Sequence, residues 1–219
     1  LDNAVFDAES LVGIEFGIKG ASQDGNLELD FTTFYQKRED VQYKNSIVND
    51  QSFVDFYNNA AAGKNYGIEF SLNYRLSDSV DTFANIGYLK TEISGITRQD
   101  GSTIDKRQQA HAPKYHINAG LNWQVTDDLN WLVELDAKDE YFYSFSHDQR
   151  SDNILIAHTS LDYRFENWHV SLYARNLFDK QYANRGFYFP NDPRDEYVTH
   201  LWEQFGEPRR IGINFKYQY

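Results

Sequence analysis

The stretch RIGINFKYQY, residues 210–219, decides how the rest of the chain is interpreted. Every second residue in it is apolar or aromatic, and the residues between are mostly small or polar; the apolar set is Ile211, Ile213, Phe215, Tyr217 and Tyr219. A period of two predicts a β-strand with one apolar face and one polar face. The pattern continues to Tyr219, although the last residues of soluble domains are usually loosely ordered. The sequence therefore predicts a strand that runs to the final residue.

The same alternation recurs along the whole chain. YGIEFSLNYRL (66–76), YHINAGLNWQV (115–125) and WHVSLYARNLF (168–178) repeat it, whereas helical spacing is hard to find. We predict an all-β fold, an antiparallel up-and-down meander of about nine strands. The strands are expected near residues 11–20, 26–43, 51–76, 79–96, 112–126, 129–146, 151–165, 167–183 and 206–219.

Short and long connections alternate along the chain. GASQDG, LSDS, TDD and FEN are tight polar turns, whereas the connections near 44–51, 97–111 and 184–205 are long and that near 147–152 is of middle length. A meander with short turns at one end and long loops at the other produces this order. No linker or change in composition divides the chain, so residues 1–219 are expected to form part of one domain.

Composition excludes several classes of protein. No run of about 18 apolar residues occurs, so no transmembrane helix is predicted. The net charge of −12 argues against a nucleic-acid partner, because phosphate binding requires clustered Lys and Arg. Cysteine is absent, which excludes disulfides and thiolate metal sites. The first residues contain no basic start and no apolar core, so no targeting peptide is recognised.

Alternation alone does not say which face of the sheet is inside. In a soluble sandwich the apolar face forms the core, whereas in an outer-membrane barrel it contacts lipid and the polar face lines the lumen. Several predicted strands have 15 or more residues, against the usual 5–6 of globular proteins. Aromatic residues on the apolar face also lie beside the short turns, as in a membrane-interface girdle; they are Tyr74, Trp123, Trp131, Trp168, Tyr217 and Tyr219. These two features favour the lipid-facing interpretation.

Residues 174–219 resemble the C-terminal end of TonB-dependent outer-membrane receptors. The shared features are the N-L-F-D-x-x-Y strand end at 176–182, a long loop, the G-x-P-R-x-x-G turn at 206–212, and the terminal aromatic Tyr219. Upstream, NNAAAGKNYGIEFSLNYRL and ESLVGIEFGIKG are similar to barrel strands of that family. The matches cover nearly the whole chain. The resemblance implies a transmembrane β-barrel of the 22-stranded type in the outer membrane of a Gram-negative bacterium.

The chain departs from the family in its size. Nine strands are too few for such a barrel, and an odd number cannot close an up-and-down barrel with both ends on one side. No sequence like the family's plug domain is present. We therefore expect residues 1–219 to be the C-terminal part of a receptor barrel, with the plug and the N-terminal strands absent and Leu1 an internal boundary.

The resemblance implies active uptake of a scarce, large nutrient, with a ferric siderophore the commonest kind. Implied partners are outer-membrane lipid, the receptor's own plug domain, TonB and the barrel-assembly machinery; the last would recognise the C-terminal strand, with Ile211, Ile213, Phe215, Tyr217 and Tyr219 as its signal. Candidate ligand-binding residues lie in the 184–205 loop and are Arg185, Tyr188, Arg194, His200 and Trp202. Candidate plug-facing residues in the lumen are Arg75, Arg164 and Arg175.

Two other functions stay open, a passive porin-like barrel and a soluble β-sandwich binding module. Enzyme motifs such as G-x-S-x-G, H-E-x-x-H or a P-loop are absent; the one loop with candidate catalytic residues holds Ser144, Ser146, His147 and Asp148. The histidines form no ligand pair at metal-binding spacing, and His111, His147 and His200 lie in separate loops. We expect no enzymatic activity, no cofactor and no metal site.

Overall fold

The computed structural model describes residues 6–49, 52–98, 101–145 and 147–219. In these ranges the elements are almost entirely strands: β1 (Ser10–Ala21), β2 (Leu27–Asn49), β3 (Ser52–Ser77), β4 (Val80–Ser94), β5 (Ile96–Thr97), β6 (Thr103–Ile104), β7 (Tyr115–Gln124), β8 (Leu129–Lys138), β9 (Ile154–Phe165), β10 (Trp168–Arg175), β11 (Ala183–Pro190), β12 (Thr199–Phe205) and β13 (Arg210–Tyr217). A single 3-10 turn covers Pro193–Asp195. Among the described elements, no helix has the length and apolarity that crossing a membrane requires.

Nine of the strands form one antiparallel sheet in the order β1-β2-β3-β4-β7-β8-β9-β10-β13. Each strand pairs with its neighbours in chain order once the two small hairpins, β5–β6 and β11–β12, are set aside. The predicted meander of nine strands is therefore confirmed. The register aligns apolar residues across the sheet, as in the row Phe31, Phe70, Ile86, Ile117 and Ala137. Such rows give the sheet a continuous apolar face.

The apolar face of the sheet, which we call the outer face, is exposed. Ile14 is 73% exposed, Ile213 is 53% exposed, and the Trp168 ring packs against Tyr217 at the short-turn end with ring centroids 4.9 Å apart. The opposite face, the inner face, carries polar residues such as Glu28, Asn73 and Asp136. A soluble sandwich would cover the apolar face with a second sheet. In the described residues both clusters of buried hydrophobic side chains lie instead at the long-loop end.

The last strand covers Arg210–Tyr217, so the prediction of a strand over 206–219 that runs to the final residue is wrong at both ends. The other boundaries that differ from the prediction lie at the long-loop end. The expected loop at 44–51 is nearly all strand, because the β2–β3 ladder continues from Val41–Ala60 to Asn49–Ser52. The expected strand 129–146 ends at Lys138, because residues 139–145 leave the sheet and fold into the loop core. The expected loop 184–205 holds the β11–β12 hairpin, which is separate from the main sheet. The packing of the loops on one another determines where these strands end. That packing leaves no periodic pattern in the sequence.

Candidate functional site

The long loops meet in a small core at one end of the sheet. Val41, Tyr43, Ile93 and Ile96 are almost fully buried there, and Ile104 and Phe145 pack against them. Asp40 has a φ of 53°, and after it the β2 side chains change sides: Val41 Cγ2 lies 3.0 Å from the position that a Cβ on Gly63 would occupy, on the inner face. The core therefore forms over the inner side of the sheet and joins β2, β4 and the loops after β4 and β8.

A cluster of arginine and aromatic side chains lies beside this core. Arg107 and Arg150 both stack on the ring of Phe142, with Cζ 3.9 Å and 3.8 Å from the ring centroid. Two backbone bridges place them: Ile93 pairs with Arg107, and Phe142 pairs with Arg150. The Arg107 side chain is only 6% exposed, and its two terminal nitrogens donate to the carbonyl oxygens of Phe145 and His147, each at 3.0 Å.

The cluster carries excess positive charge. Asp148 pairs with Arg98 at 2.5 Å and with Arg107 at 3.4 Å, and Glu140 pairs with Arg150 at 2.6 Å, so among the described residues three guanidinium groups face two carboxylates. Burial lowers the pKa of Arg107; Asp148 opposes this shift, and the neighbouring Arg98 and Arg150 add to it. Nε of Arg98 and Nε of Arg107 are buried without a hydrogen-bond partner in the described part of the chain. We call Arg98, Arg107, Phe142 and Arg150 the basic–aromatic cluster; it can attract an anion and stack on a planar group.

Two buried tyrosines connect the cluster to the β11–β12 hairpin. The Tyr143 hydroxyl donates to Glu203 at 2.6 Å, and the Tyr141 hydroxyl donates to the carbonyl oxygen of Asn184 at 2.9 Å. Both rings are 3% exposed, and Tyr143 covers Gly186, where a Cβ would overlap the ring. Burial, followed by the hydrogen bond to Glu203, raises the pKa of Tyr143, so the phenol stays protonated and donates. The hairpin is thereby held against the loop after β8.

Only some of the predicted ligand residues approach the cluster. The Tyr188 ring lies 5.6 Å from that of His147, whose carbonyl binds Arg107. Arg185 lies over the ring of Phe187 at 5.1 Å. The other three act within the hairpin. Arg194 binds Asp192 through two nitrogens, His200 Nε2 lies 2.5 Å from Asp195, and Trp202 donates to the carbonyl of Phe189 at 3.2 Å.

The predicted lumen arginines all lie on the inner face but differ in their partners. Arg75 pairs with Asp81 at 3.0 Å and lines a cavity of ≈ 280 Å³ near the short turns with Glu28, Asn73 and Asn122. Arg164 and Arg175 are exposed and form no ion pair with any residue that the structure describes. Arg164 and Arg175 are therefore free to bind a group that fills the inner side of the sheet.

The histidines and the candidate catalytic residues are used in other contacts. His111 packs on Tyr141, His147 on Tyr188 and His200 on Trp202, and the described ranges contain no group of three or more residues able to hold a metal. Asp148 is bound by two arginines, and Nδ1 of His147 is buried without a partner among the described atoms. Ser146 lies outside the described residues.

Sequence reasoning missed the basic–aromatic cluster. Its residues lie in three separate segments, RQDGSTIDKRQQ (98–109), DEYFYSF (139–145) and the HDQR segment (147–150), and none has a recognisable spacing. The one available signal was that a chain of net charge −12 places arginines in its long loops. That signal does not say which loops meet.

Comparison with known proteins shows which family of proteins has a sheet of this kind. A family described as "TonB dependent receptor-like, beta-barrel" matches residues 2–177. The pesticin receptor of Yersinia pestis is 21% identical over 191 residues, which is 85% of this chain and 27% of that receptor. The solved ferric yersiniabactin uptake receptor FyuA of Yersinia pestis has a TM-score of 0.74 at 19% identity, over 96% of this chain and 30% of its own. The siderophore receptor PiuA of Acinetobacter baumannii has the same TM-score and identity, over 97% and 29%.

The chain thus spans less than a third of the length of these relatives. The structural likeness extends over nearly all of the nine-stranded sheet and its loops. The family match covers well over half of the chain and agrees with the exposed apolar face and the alternation of short turns and long loops. The chain belongs to the TonB-dependent receptor-like β-barrel family.

Proposed function

We propose that this chain is the C-terminal part of an outer-membrane receptor that uses TonB to import a scarce, large nutrient, a ferric siderophore. The two unpaired edges of the sheet support a longer barrel. β1 pairs only with β2, and β13 only with β10, among the strands that the structure describes, so both edges of the sheet offer unpaired backbone groups. Further strands of the same barrel would satisfy them, since exposed edges attract pairing.

The basic–aromatic cluster carries the ligand proposal. A ferric siderophore is large, rich in oxygen ligands and commonly anionic, so a binding site needs cations and flat surfaces rather than a metal cage. Arg98, Arg107 and Arg150 supply the positive charge, and Phe142 holds two of them in a stack. The long-loop end is the extracellular end of such barrels, where an incoming nutrient first arrives.

The relatives support the same class of ligand. By name, FyuA takes up ferric yersiniabactin and PiuA is a siderophore receptor. We extend the class, and not the particular siderophore, to this chain. Tyr188 and Arg185 would line the ligand from the hairpin side, whereas Arg194, His200 and Trp202 would form its rim.

The remaining partners follow from the proposal. A plug domain would fill the inner side and pair with Arg164 and Arg175. TonB would engage the plug side of the full-length receptor. The barrel-assembly machinery would recognise the terminal strand Ile211–Tyr219. We propose a transporter without catalytic activity or bound cofactor.

Uptake by cells tests this function. We expect the full-length protein to restore accumulation of radioactive ferric siderophores in a receptor-deficient strain only when TonB and the proton-motive force are present. The Arg150→Gln variant should raise the half-saturating concentration about tenfold, because a charge-assisted contact is worth about 1.5–3 kcal/mol. Lys106→Gln is the control, since Lys106 is next to Arg107 in the chain but pairs with Glu92 on β4 at 3.5 Å and is not part of the basic–aromatic cluster.

Two results would count against the proposal. Uptake that persists without TonB would favour a passive porin. Equal half-saturating concentrations for the Arg150→Gln and Lys106→Gln variants would show that the basic–aromatic cluster is not part of the ligand site.

A further inference from the structure

A neck of two chain segments joins the β11–β12 hairpin to the main sheet. β10 and β13 stay paired up to Arg175 and Arg210, and beyond them the chain runs out through residues 176–182 and returns through residues 206–209. The ladder of the hairpin itself begins after these two segments, which we call the neck. The neck contains the N-L-F-D-x-x-Y motif and the G-x-P-R part of the following turn motif, and the proposed ligand site gives neither of them a role.

Asn176 ties the two segments of the neck together. Its side-chain nitrogen donates to the carbonyl oxygens of Lys180 at 2.9 Å and Glu207 at 3.0 Å, and its side-chain oxygen accepts from the Lys180 N–H at 2.8 Å. Only this orientation of the amide suits two acceptors and one donor. The backbone N–H of Asn176 donates to Nδ1 of His158 on β9 at 3.1 Å, which fixes the neck to the sheet. Asn176 is 2% exposed, so its polar atoms depend on these partners.

The backbone of the neck explains which residue types occur there. Asn176 has a φ of 46° and Asp179 a φ of 55°, in the left-handed region that Asn and Asp adopt more readily than other residues with a side chain. The Asp179 carboxylate accepts from the Arg209 N–H at 2.9 Å, which is a further bond across the neck. The Gly206 N–H donates to the carbonyl oxygen of Tyr182 at 2.8 Å, and a Cβ on Gly206 would overlap the Tyr182 ring. Hydrogen bonds thus close the neck along its whole length.

The direction of the hairpin depends on the neck. Tyr141 and Tyr143 each donate one hydrogen bond to the hairpin, but both lie in the loop after β8 and outside the main sheet. The neck instead joins the hairpin to β9 and β10. From Ala183 to Tyr188 the strand runs roughly 17 Å, so a rotation of about 10° at the neck would move Tyr188 by roughly 3 Å. A binding site needs its groups held within about 0.5 Å.

We infer that Asn176 is a positioning residue for the proposed uptake: it fixes the direction of the β11–β12 hairpin relative to the sheet and so places Tyr188 against His147, beside the basic–aromatic cluster. Asn176 acts through the hairpin, because its own bonds reach Lys180, Glu207 and His158. The hairpin is then a fixed wall of the ligand site and does not hinge at its base. The role in uptake rests on the proposed function, whereas the clamp in the neck rests on geometry alone.

Asn176→Asp tests the inference with the smallest change of shape. The carboxylate keeps the acceptor for the Lys180 N–H but loses both donated hydrogen bonds and faces two carbonyl oxygens. The probe is the radioactive ferric siderophore that the unmodified full-length protein takes up. We expect its half-saturating concentration to rise about tenfold, because the correctly placed hairpin becomes a minor state and the apparent affinity falls with its fraction. The maximal uptake per receptor should not change.

Two further variants accompany this test. Asp179→Asn makes the reverse exchange in the same turn, and its amide oxygen still accepts from the Arg209 N–H, so we expect uptake like that of the unmodified protein. Asn176→Gly keeps the left-handed backbone and removes the amide, so it should behave like Asn176→Asp.

A distance measurement gives a result that a loss of stability alone would not produce. Spin labels at Asp78→Cys, in the exposed β3–β4 turn, and at Val198→Cys, near the tip of the hairpin and 54% exposed, report the direction of the hairpin relative to the sheet. The label pair is placed in the full-length protein, with any cysteine outside residues 1–219 replaced. We expect one narrow distance distribution with the native neck and with Asp179→Asn, and a distribution broadened by several Å with Asn176→Asp.

The outcomes separate this inference from the proposed function. An unchanged distance distribution in both Asn176 variants would overturn the clamp, whatever their uptake. A smaller amount of receptor with an unchanged half-saturating concentration would show a role in stability only and would overturn the positioning role. Uptake by the unmodified protein that does not need TonB would contradict the proposed function, and the distance distributions would still decide whether Asn176 fixes the hairpin.

Discussion

At the scale of single residues, several glycines on the inner face allow close approach between strands. Gly67 is the tightest case: a Cβ there would overlap the carbonyl oxygen of Tyr88 and lie 3.1 Å from the Phe34 ring. Gly120 and Gly212 are covered in a similar way by the rings of Phe83 and Tyr173. Aromatic rings thus fill the space over glycines. The need for glycine at these positions comes from the side chains and backbone of the partner strands. The alternation pattern in the sequence shows only that the residues are small.

Gly67→Ala should therefore destabilise the assembled protein by about 1–3 kcal/mol, as overpacking does elsewhere. Gly87→Ala is the matched control, because the nearest atom to a Cβ at Gly87 is 3.8 Å away. The midpoint temperature of unfolding of the full-length protein in detergent measures both. A midpoint for Gly67→Ala no lower than that for Gly87→Ala would show that β4 shifts to make room.

His147 makes the loop core sensitive to pH. Burial, and then the charge of Arg107, lower its pKa from the ordinary value of 6.5. A histidine with a lowered pKa binds its proton more weakly in the closed loop than in the opened loop. The closed loop is therefore fully stable above pH 6.5 and loses stability as the pH falls from 6.5 through the lowered pKa.

We expect hydrogen exchange of the described backbone amides in 139–150 to quicken between pH 7.5 and 5.5 after correction for intrinsic rates. His147→Gln should remove part of this change, while His111→Gln should remove another part, because burial also lowers the pKa of His111. A pH response that is unaltered in both variants would assign the sensitivity to other groups.

At the scale of elements, the terminal strand pairs along β10, but the last aromatic residue of the chain does not. Residues Arg210–Tyr217 pair with β10, and the Tyr217 ring packs against Trp168. Tyr219 lies beyond the end of β13 and is fully exposed, so it adds no packing to the sheet. At Tyr219, a proposed role in recognition during assembly can therefore be tested separately from a role in the stability of the folded protein.

Tyr219→Ala should lower the amount of full-length protein in the outer membrane severalfold while leaving the unfolding temperature of the assembled fraction unchanged. Gln218→Ala is the control at the neighbouring position. Immunoblots of outer-membrane fractions and heat-modifiability on gels measure the two quantities. Normal amounts of the Tyr219→Ala protein would remove the terminal aromatic residue from the proposed assembly signal.

At the scale of the whole molecule, the polar inner face is the surface that a plug domain is proposed to fill. Its polar side chains form local hydrogen bonds, such as His116 with Asp136 at 3.0 Å and His169 with Asp162 at 3.2 Å, but Arg164 and Arg175 have no carboxylate partner among the described residues. Carboxylates of a plug domain would supply that partner.

Arg175→Glu should loosen the plug, so that a protease cuts it faster in the full-length protein and uptake changes with it. Arg75→Gln is expected to have a smaller effect, since Arg75 is already paired with Asp81. Unchanged protease resistance together with unchanged uptake in Arg175→Glu would contradict a plug contact there.

The sequence by itself determined the architecture. Alternation with a period of two depends on backbone geometry alone, so the central part of each strand could be predicted from the sequence. The strand from Ile211 to Tyr217 is an example. The order of short turns and long loops then determined the meander, and the position of Trp123, Trp131 and Trp168 favoured a lipid-facing interpretation of the apolar face.

Only the tertiary structure decided what the long loops do. Arg107 reaches Phe142 and Arg150 because the loops after β4 and β8 pack on a shared core, and the Tyr143 hydroxyl reaches Glu203 because the β11–β12 hairpin packs on the loop after β8. Both are contacts between residues far apart in the chain. No local period specifies such contacts; the register of the ladders and the packing of buried side chains do.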